Sequence, residues 1–340
     1  MKYALSLLGV AALALLTAAM LFRAGWTRPP VHSSQNGYRG LGMEQISNPS
    51  FDALRKLANA LPDPIDKASP DGQRATEAYK NVKVLTDLSA DQFNRVMLSI
   101  TEWVAPQQGC GYCHNVDNLA DDGLYTKVVA RRMLEMTRHI NTDWKAHVAN
   151  VGVTCYTCHR GAPVPAGVYY QPSVPHAGGF AADNRGMGHP GSANGSTGLP
   201  VDAYAPALAP KDAIRVVATQ ALPTGLGASI QTTEQTYSLM INMSEGLGVN
   251  CTFCHNTRAF SQWPESTPQR VTAWHGLQMV RELDADYLDP LKGTLPPARL
   301  GPLGDGPKIV CATCHLGVSK PMFGVSMAKD YPELGGTASP

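Results

Sequence analysis

The chain is poor in charge and has no basic excess. Among its 340 residues, 28 Lys and Arg face 27 Asp and Glu, and charged residues make up 16% of the total. A nucleic-acid surface needs a surplus of basic side chains to bind phosphates, so nucleic acid is excluded as an expected partner. No cysteine is left over from one repeated pattern, because all eight fall in four copies of a single pentapeptide. This spacing argues against a disulfide framework.

The repeated pentapeptide is Cys-x-x-Cys-His, the attachment site of a c-type haem. Two thiols add to the porphyrin vinyl groups, and the histidine ligates the iron from its proximal side. A redox dithiol or half a zinc site is the alternative for a single copy, but zinc sites do not need a histidine directly after each Cys-x-x-Cys. Four copies predict four covalent haems c. The attachment residues are Cys110, Cys113, Cys155, Cys158, Cys251, Cys254, Cys311 and Cys314, and the proximal ligands are His114, His159, His255 and His315.

Haem is attached to such motifs outside the cytoplasm, so the N-terminus is expected to direct export. No cysteine precedes Cys110, which argues against a lipid-modified cysteine as anchor. The run YALSLLGVAALALLTAAMLF, residues 3–22, carries no charge. At about 1.5 Å per residue it makes roughly 30 Å of helix, the thickness of a bilayer core, whereas a cleaved signal has a shorter apolar core. We expect an uncleaved transmembrane helix; the small residues Ala18 and Ala19 leave cleavage as the alternative.

The chain contains an internal repeat. Residues 97–115 align with 240–256, and residues 128–141 align with 271–284; each of the four segments ends in or leads to a haem motif. The predicted fold is mainly α with long irregular loops, made of two dihaem halves related by a pseudo-two-fold axis plus one N-terminal transmembrane helix. We expect a transmembrane anchor (1–25), an extension packed on the haem domain (26–87), dihaem half 1 (88–165), a Gly/Pro-rich connection (166–228), dihaem half 2 (229–325) and a C-terminal tail (326–340).

Capping residues indicate where the helices begin. Ser89 precedes one helical segment, and Thr267 precedes another that has Pro268 at its first position. Asp121 or Asp122 is the candidate cap of a third. Each helix precedes a haem motif and can therefore lie across the haem face opposite the proximal histidine.

The repeat also indicates the second axial ligand of each iron. Met97 aligns with Met240, so these two are predicted to ligate the first and third haems. Met133 aligns with Gly276, so if Met133 ligates the second haem, the fourth must take its ligand from elsewhere. His147 lies past its helix in the first half, and a two-fold arrangement would bring it across to the fourth haem.

Other methionines and histidines have competing interpretations. Met243 aligns with an isoleucine in the first half, which indicates core packing. Met136 and Met279 align with each other, which suits either ligation or shared packing. His139 and His275 are the remaining histidine candidates for the fourth iron.

The four motifs, the Met-bearing helices, the segment RRMLEM…W..HV…V.CYTCHRG and the sequence STPQR before the last long helix resemble the tetrahaem cytochrome c subunit of purple-bacterial photosynthetic reaction centres. The resemblance implies that Met97, Met133 and Met240 ligate haems one, two and three, and that His147 ligates haem four. It also implies that Arg270 lies beside the third haem, where a cation would raise the potential; the alternative is a surface arginine. Many members carry a lipid-modified cysteine, which the apolar run would replace here.

The function implied by this resemblance is an electron relay and not an enzyme. Electrons would pass from a soluble cytochrome c or a high-potential iron–sulfur protein to the bacteriochlorophyll special pair of the L and M subunits, at the periplasmic face of the photosynthetic membrane. Iron with His and Met ligands is six-coordinate and has no open position for a substrate. The alternative is a membrane-anchored tetrahaem quinol dehydrogenase, which is expected to be shorter and richer in histidine.

Overall fold

The computed structural model describes residues 2–23, 31–35, 43–173, 198–208 and 230–335. These residues are mainly helical with long irregular connections, as predicted. The α-helices are α1 (Lys2–Arg23), α2 (Asp52–Ala58), α3 (Ala75–Ala78), α4 (Ala90–Val104), α5 (Tyr125–Asp143), α6 (Lys145–Val148), α7 (Cys155–His159), α8 (Ala205–Leu208), α9 (Ile230–Leu247), α10 (Pro268–Leu283) and α11 (Cys311–His315). Strands β1 (His32–Gln35) and β2 (Glu44–Ser47) form an antiparallel pair, with His32 opposite Ser47.

Two of the long helices begin at the predicted caps. The Ser89 hydroxyl accepts the Gln92 backbone N–H at 3.1 Å, and the Gln92 side chain accepts the Ser89 backbone N–H at 3.3 Å. This reciprocal pair satisfies two backbone donors at the start of α4. Thr267 has the extended backbone of a cap residue, and Pro268 occupies the first turn of α10.

The predicted cap of α5 is wrong. The helix begins at Tyr125 after Leu124, with no side-chain cap. Asp122 instead pairs with three cations, Lys83 at 2.8 Å, Lys127 at 3.2 Å and Arg131 at 2.8 Å. Those hydrogen bonds hold the pKa of this carboxyl well below its usual range. The Asp122 carboxylate therefore binds basic side chains and does not cap the backbone N–H groups at the start of α5.

The described residues contain two apolar clusters, and each reaches across the sequence. The first joins α5, α8, α9 and α10 to the segment before the fourth haem motif; its members include Met136, Ile140, Tyr204, Leu239, Met243, Leu277, Met279, Leu283, Ile309 and Val310. The second joins α4 and α5 to residues near the C-terminus, including Val96, Trp103, Leu134, Met322, Tyr331 and Leu334. The helices that carry candidate iron ligands therefore pack against segments that are distant from them in sequence.

A buried ion pair ties the last described segment to α4. Both oxygens of Glu333 accept hydrogen bonds from Arg95 Nη1, at 3.1 and 3.0 Å, and both side chains are almost fully buried. The guanidinium also donates to the carbonyls of Ile65 and Asp66, at 2.9 and 2.8 Å, and lies 4.0 Å from the Tyr331 ring centroid. One charged group thereby joins the region before α3, helix α4 and the C-terminal segment.

The N-terminal apolar run forms helix α1, separate from the two apolar clusters. Among the described residues, no helix is both long and apolar enough to cross a membrane. The predicted transmembrane helix is therefore not confirmed. Much of the predicted Gly/Pro-rich connection, at 174–197 and 209–228, lies outside the described residues.

Candidate functional site

The four Cys-x-x-Cys-His motifs fold in two ways that alternate along the chain. The first and third contain 3₁₀ turns, at Gly109–Tyr112 and Cys251–Phe253. The second and fourth are the short helices α7 and α11. Helix α7 packs against α4, and α11 packs against α9, so a long helix of the same repeat position lies beside each.

Each proximal histidine is oriented by a backbone carbonyl at Nδ1. In the first and third motifs the carbonyl lies five residues on: Leu119 O is 3.1 Å from His114, and Phe260 O is 3.0 Å from His255. In the second and fourth it lies three residues on: Ala162 O is 2.9 Å from His159, and Val318 O is 3.0 Å from His315. With the proton on Nδ1 donated to the carbonyl, the Nε2 lone pair is available to a metal.

Burial favours the neutral, metal-binding form of three of these imidazoles, those of His159, His255 and His315. It lowers the pKa of His159 and of His255, and it is the main cause that lowers the pKa of His315 to about 4. The neighbouring His147 also lowers the pKa of His315. Neutral imidazole is the form that ligates metal ions, so these three histidines suit a metal ligand.

The predicted residues of the second haem line one cavity. Met133 of α5 and Cys155, Cys158 and His159 of the second motif all face it, among mostly apolar neighbours. A thioether, two thiols and an imidazole directed at one apolar space fit a covalently attached haem with His and Met ligands. The second motif therefore has the residues and the surroundings that a haem c needs.

The structure brings His147 to the fourth motif, although the two are far apart in sequence. Its ring lies 6.1 Å from the His315 ring, centroid to centroid, and His147 Nδ1 is 3.0 Å from the Thr272 carbonyl oxygen on α10. Imidazole nitrogens bind first-row metal ions at about 2 Å, so two rings that share one metal stand about 6 Å apart. Burial lowers the pKa of His147 as well, which favours its neutral form.

Gly276 is what makes room for this histidine. A Cβ atom added there would lie 2.5 Å from Cε1 of His147 and 2.8 Å from Nδ1. Met133 occupies the aligned position of the first half. The side chain missing from α10 is thus replaced in space by an imidazole that enters from α6.

Met97 and Met240 lie on the helices predicted for them. Met97 is on α4 and packs against the second apolar cluster, and Met240 is on α9 and packs against the first. One turn after Met97, the Thr101 hydroxyl lies 4.0 Å from the Cys110 sulfur, so α4 runs beside the first motif. The competing methionines Met136 and Met279 are buried in the first cluster.

His139 has both ring nitrogens engaged by carboxylates. Nε2 is 2.5 Å from Glu282 and Nδ1 is 2.6 Å from Asp143. His275 packs edge-on against Trp274, with ring centroids 5.1 Å apart. Neither contact resembles the carbonyl-oriented arrangement of the proximal histidines and His147.

Arg270 lies next to the third motif. Its guanidinium donates to the Ser266 hydroxyl at 2.6 Å and lies 4.1 Å from the Trp263 ring centroid. Burial raises the pKa of Cys254 to about 11 and lowers the pKa of His255; the positive charge of Arg270 opposes the rise at Cys254 and adds to the fall at His255. A charge felt by both groups of the motif would also be felt by a haem bound there.

Two threonines bind the first and third motifs in a way that the sequence did not indicate; Thr126 was not identified at all, and Thr267 was identified only as a helix cap. The Thr126 hydroxyl donates to the Tyr112 carbonyl at 2.5 Å, and the Thr267 hydroxyl donates to the Phe253 carbonyl at 2.6 Å. Both bonds tie the residue before the second motif cysteine to the start of the next helix. The available signal was the spacing, which is 14 residues in both halves.

Residues 27–335 match the family model described as the photosynthetic reaction centre cytochrome C subunit. Three proteins named photosynthetic reaction center cytochrome c subunit are similar over most of the chain. The protein of Rubrivivax gelatinosus is 49% identical over 94% of this chain and 87% of its own length. That of Thermochromatium tepidum is 45% identical over 96% and 80%, and that of Roseobacter denitrificans is 42% identical over 98% and 93%. The chain therefore belongs to the family of photosynthetic reaction centre cytochrome c subunits, which bind haem c and carry electrons.

Proposed function

We propose that the chain passes electrons from a soluble periplasmic donor, through four covalently attached haems c, to the photo-oxidised bacteriochlorophyll special pair held by the L and M subunits. When bound, the haems supply reversible one-electron oxidation at fixed positions. The observation that carries the proposal is the shared preparation of four sites: two thiols and a carbonyl-oriented histidine in each. The family does not favour the alternative of a quinol dehydrogenase.

In this proposal every iron has two axial ligands, a motif histidine on one side and a second side chain on the other. Met97, Met133 and Met240 ligate haems one, two and three, and His147 ligates haem four. The cavity that Met133 shares with the second motif and the 6.1 Å spacing of the His147 and His315 rings support two of these assignments. Six-coordinate iron leaves no position for a substrate, which suits transfer of electrons and not chemistry on a bound molecule.

The ligands also suggest an order of potentials. A methionine ligand raises the potential of a haem above that of a haem with two histidines. Haem four is therefore expected to be the lowest of the four from its ligands alone. The charge of Arg270 would raise the potential of haem three, because a nearby cation favours the reduced state.

Two dihaem halves, 88–165 and 229–325, form the core of the proposed arrangement. Its support is the alternation of motif folds, 3₁₀ then α-helical in both halves, together with equal carbonyl offsets at the histidines. In this arrangement His147 crosses from the first half to serve the second.

The apolar run 3–22 is proposed to hold the protein at the periplasmic face of the membrane without cleavage. The support is its lack of charge and the need to attach haem outside the cytoplasm. Mass spectrometry of the mature chain would show residue 1 or 2 at its start; a start between about residues 20 and 30, the usual reach of a cleaved signal, would contradict the anchor.

Co-purification tests the function. The tagged chain, extracted from photosynthetic membranes in mild detergent, should carry bacteriochlorophyll-containing subunits with it. Its mass should exceed that of the polypeptide by four haems. A soluble cytochrome c and a high-potential iron–sulfur protein should then be compared as reductants of the purified complex. A chain with four haems and no associated pigment would contradict the proposed partner.

A further inference from the structure

Asp284 is a buried carboxyl at the end of α10, where the chain continues as a π-helical turn, Asp284–Leu288. It is 5% exposed. Its Oδ1 accepts the Ile309 backbone N–H at 2.7 Å, but its Oδ2 has no hydrogen-bond partner among the described residues. A buried carboxylate oxygen without a donor is costly, and π-helical turns are frequent at functional sites.

The internal repeat provides a comparison for this carboxyl, because Asn141 at the end of α5 aligns with it. Asn141 accepts the Val153 N–H at 2.7 Å, the same distance at which Asp284 accepts the Ile309 N–H. Val153 and Ile309 each stand two residues before the first cysteine of a motif. Asn141 also donates from its amide, to the Val153 carbonyl at 2.9 Å and to the Leu334 carbonyl at 2.8 Å. A carboxyl can combine an acceptor with a donor in this way only when it is protonated.

The carboxyl is next to a haem site. Ile309, which it binds, lines the cavity shared by Met133, Cys155 and His159. The chain runs from Ile309 directly into the fourth motif. The proton on Asp284 would therefore be sensitive to the charge on the haems of the second and fourth motifs.

We propose that Asp284 is a redox-linked proton site, neutral while these haems are reduced. As a haem iron loses one electron to its acceptor, Asp284 releases its proton to bulk water; when the electron returns from the donor, Asp284 takes a proton back. The proposal rests on haem binding at the second and fourth motifs, as proposed above.

The surroundings agree with a neutral acid near physiological pH. Burial raises the pKa of Asp284 to about 8, and the negative charge of Asp289 adds to this rise. The hydrogen bond from the Ile309 N–H and the positive charge of Lys308 oppose it. Lys308 is itself paired with Asp305 at 2.6 Å. Helix α5, α10 and the turn itself carry the other charged or titratable groups packed around it. Those on α5 are Tyr125, Lys127, Arg131, Arg132, Glu135, Arg138, His139 and Asp143; those on α10 are Arg270, His275, Arg281 and Glu282; those on the turn are Asp286 and Tyr287. One added positive charge on a nearby iron favours the ionised carboxyl and lowers its pKa.

The test is redox titration of the four haems in the holoprotein, from about pH 6 to about pH 9, the range around the pKa of such a buried acid. In the native protein, the potential of the second or fourth haem should fall as the pH rises, because the oxidised form favours loss of the proton. Asp284→Asn should abolish this dependence, and Asp289→Asn, which removes an exposed carboxyl on the same segment, should retain it. The proposal is overturned if Asp284→Asn keeps the dependence of the native protein, or if no haem shows any.

Infrared difference spectroscopy of the native protein is the second measurement and needs no variant. Oxidation should remove the carbonyl band of one protonated carboxyl, and an unchanged band would contradict the proposal. Haem content and spin state are recorded on the same samples. Loss of haem would count against the proposed sites themselves, whereas four intact haems with no proton release would count against Asp284 alone.

Discussion

Gly276→Ala should detach His147 from the fourth haem. The new Cβ would lie 2.5, 2.8 and 3.1 Å from Cε1, Nδ1 and Nε2 of the imidazole, whereas ordinary contacts begin at 3.4 Å. The ring must therefore move by about 1 Å, several times the roughly 0.2 Å that a metal–ligand distance tolerates. The crowding itself should cost about 1–3 kcal/mol of folding stability.

The assay is absorbance and electron paramagnetic resonance of the purified variant, with haem-resolved redox titration. One of four haems should become high-spin and five-coordinate, and its potential should rise, while the other three keep their Met-ligated signature. Gly293→Ala is the matched control, because a Cβ there meets nothing within 4 Å. Four six-coordinate irons with unshifted potentials in Gly276→Ala would refute the reasoning, since the variant cannot leave the ring in place.

Four further changes test separate parts of the account. His147→Ala should produce the same single five-coordinate haem without the crowding, and retention of four six-coordinate irons would exclude His147 as a ligand. Met240→His should lower the potential of the third haem alone, because histidine replaces the methionine that raises it; a shift in another haem would contradict the assignment. Glu333→Ala should destabilise the protein by about 3–5 kcal/mol by leaving Arg95 buried and unpaired, and Glu333→Gln by less, as measured by denaturant unfolding; equal losses would show that the charge is unimportant. Asp284 has a pKa of about 8 in the folded protein, against about 4 when unfolded, so the native state should lose stability as the pH rises from about 4 to about 8, by on the order of a few kcal/mol relative to Asp284→Asn. If the free energy of unfolding depended on pH in the same way in both proteins, ionisation of Asp284 would not destabilise the native state.

The four haem-attachment motifs and the missing methionine at position 276 could be identified from the sequence. Four Cys-x-x-Cys-His motifs are local patterns, and the alignment of Met133 with Gly276 needs only the repeat. The expectation that His147 crosses over came from elimination and from the family. The structure adds the close approach of the His147 ring to Gly276, a contact between residues 129 positions apart that cannot be read from any local pattern.

The buried polar contacts could not be predicted. Arg95 and Glu333 are 238 residues apart, and neither periodicity nor spacing distinguishes them from surface charges. For Asp122 a local pattern gave a wrong prediction. The residue suited a helix cap, but its carboxylate pairs with three nearby cations instead. A local rule holds only where no tertiary partner is stronger.

The central claim is that haems on this chain refill the reaction centre's oxidised pigment. The direct measurement is time-resolved absorbance after a flash, in membranes that contain the chain. The account predicts that haem oxidation and pigment re-reduction occur at matching rates. Met240→His, which changes the potential of the third haem, should alter the rate of pigment re-reduction. The contradicting result is a flash that oxidises no haem of this chain while quinol reduces those haems readily in the dark.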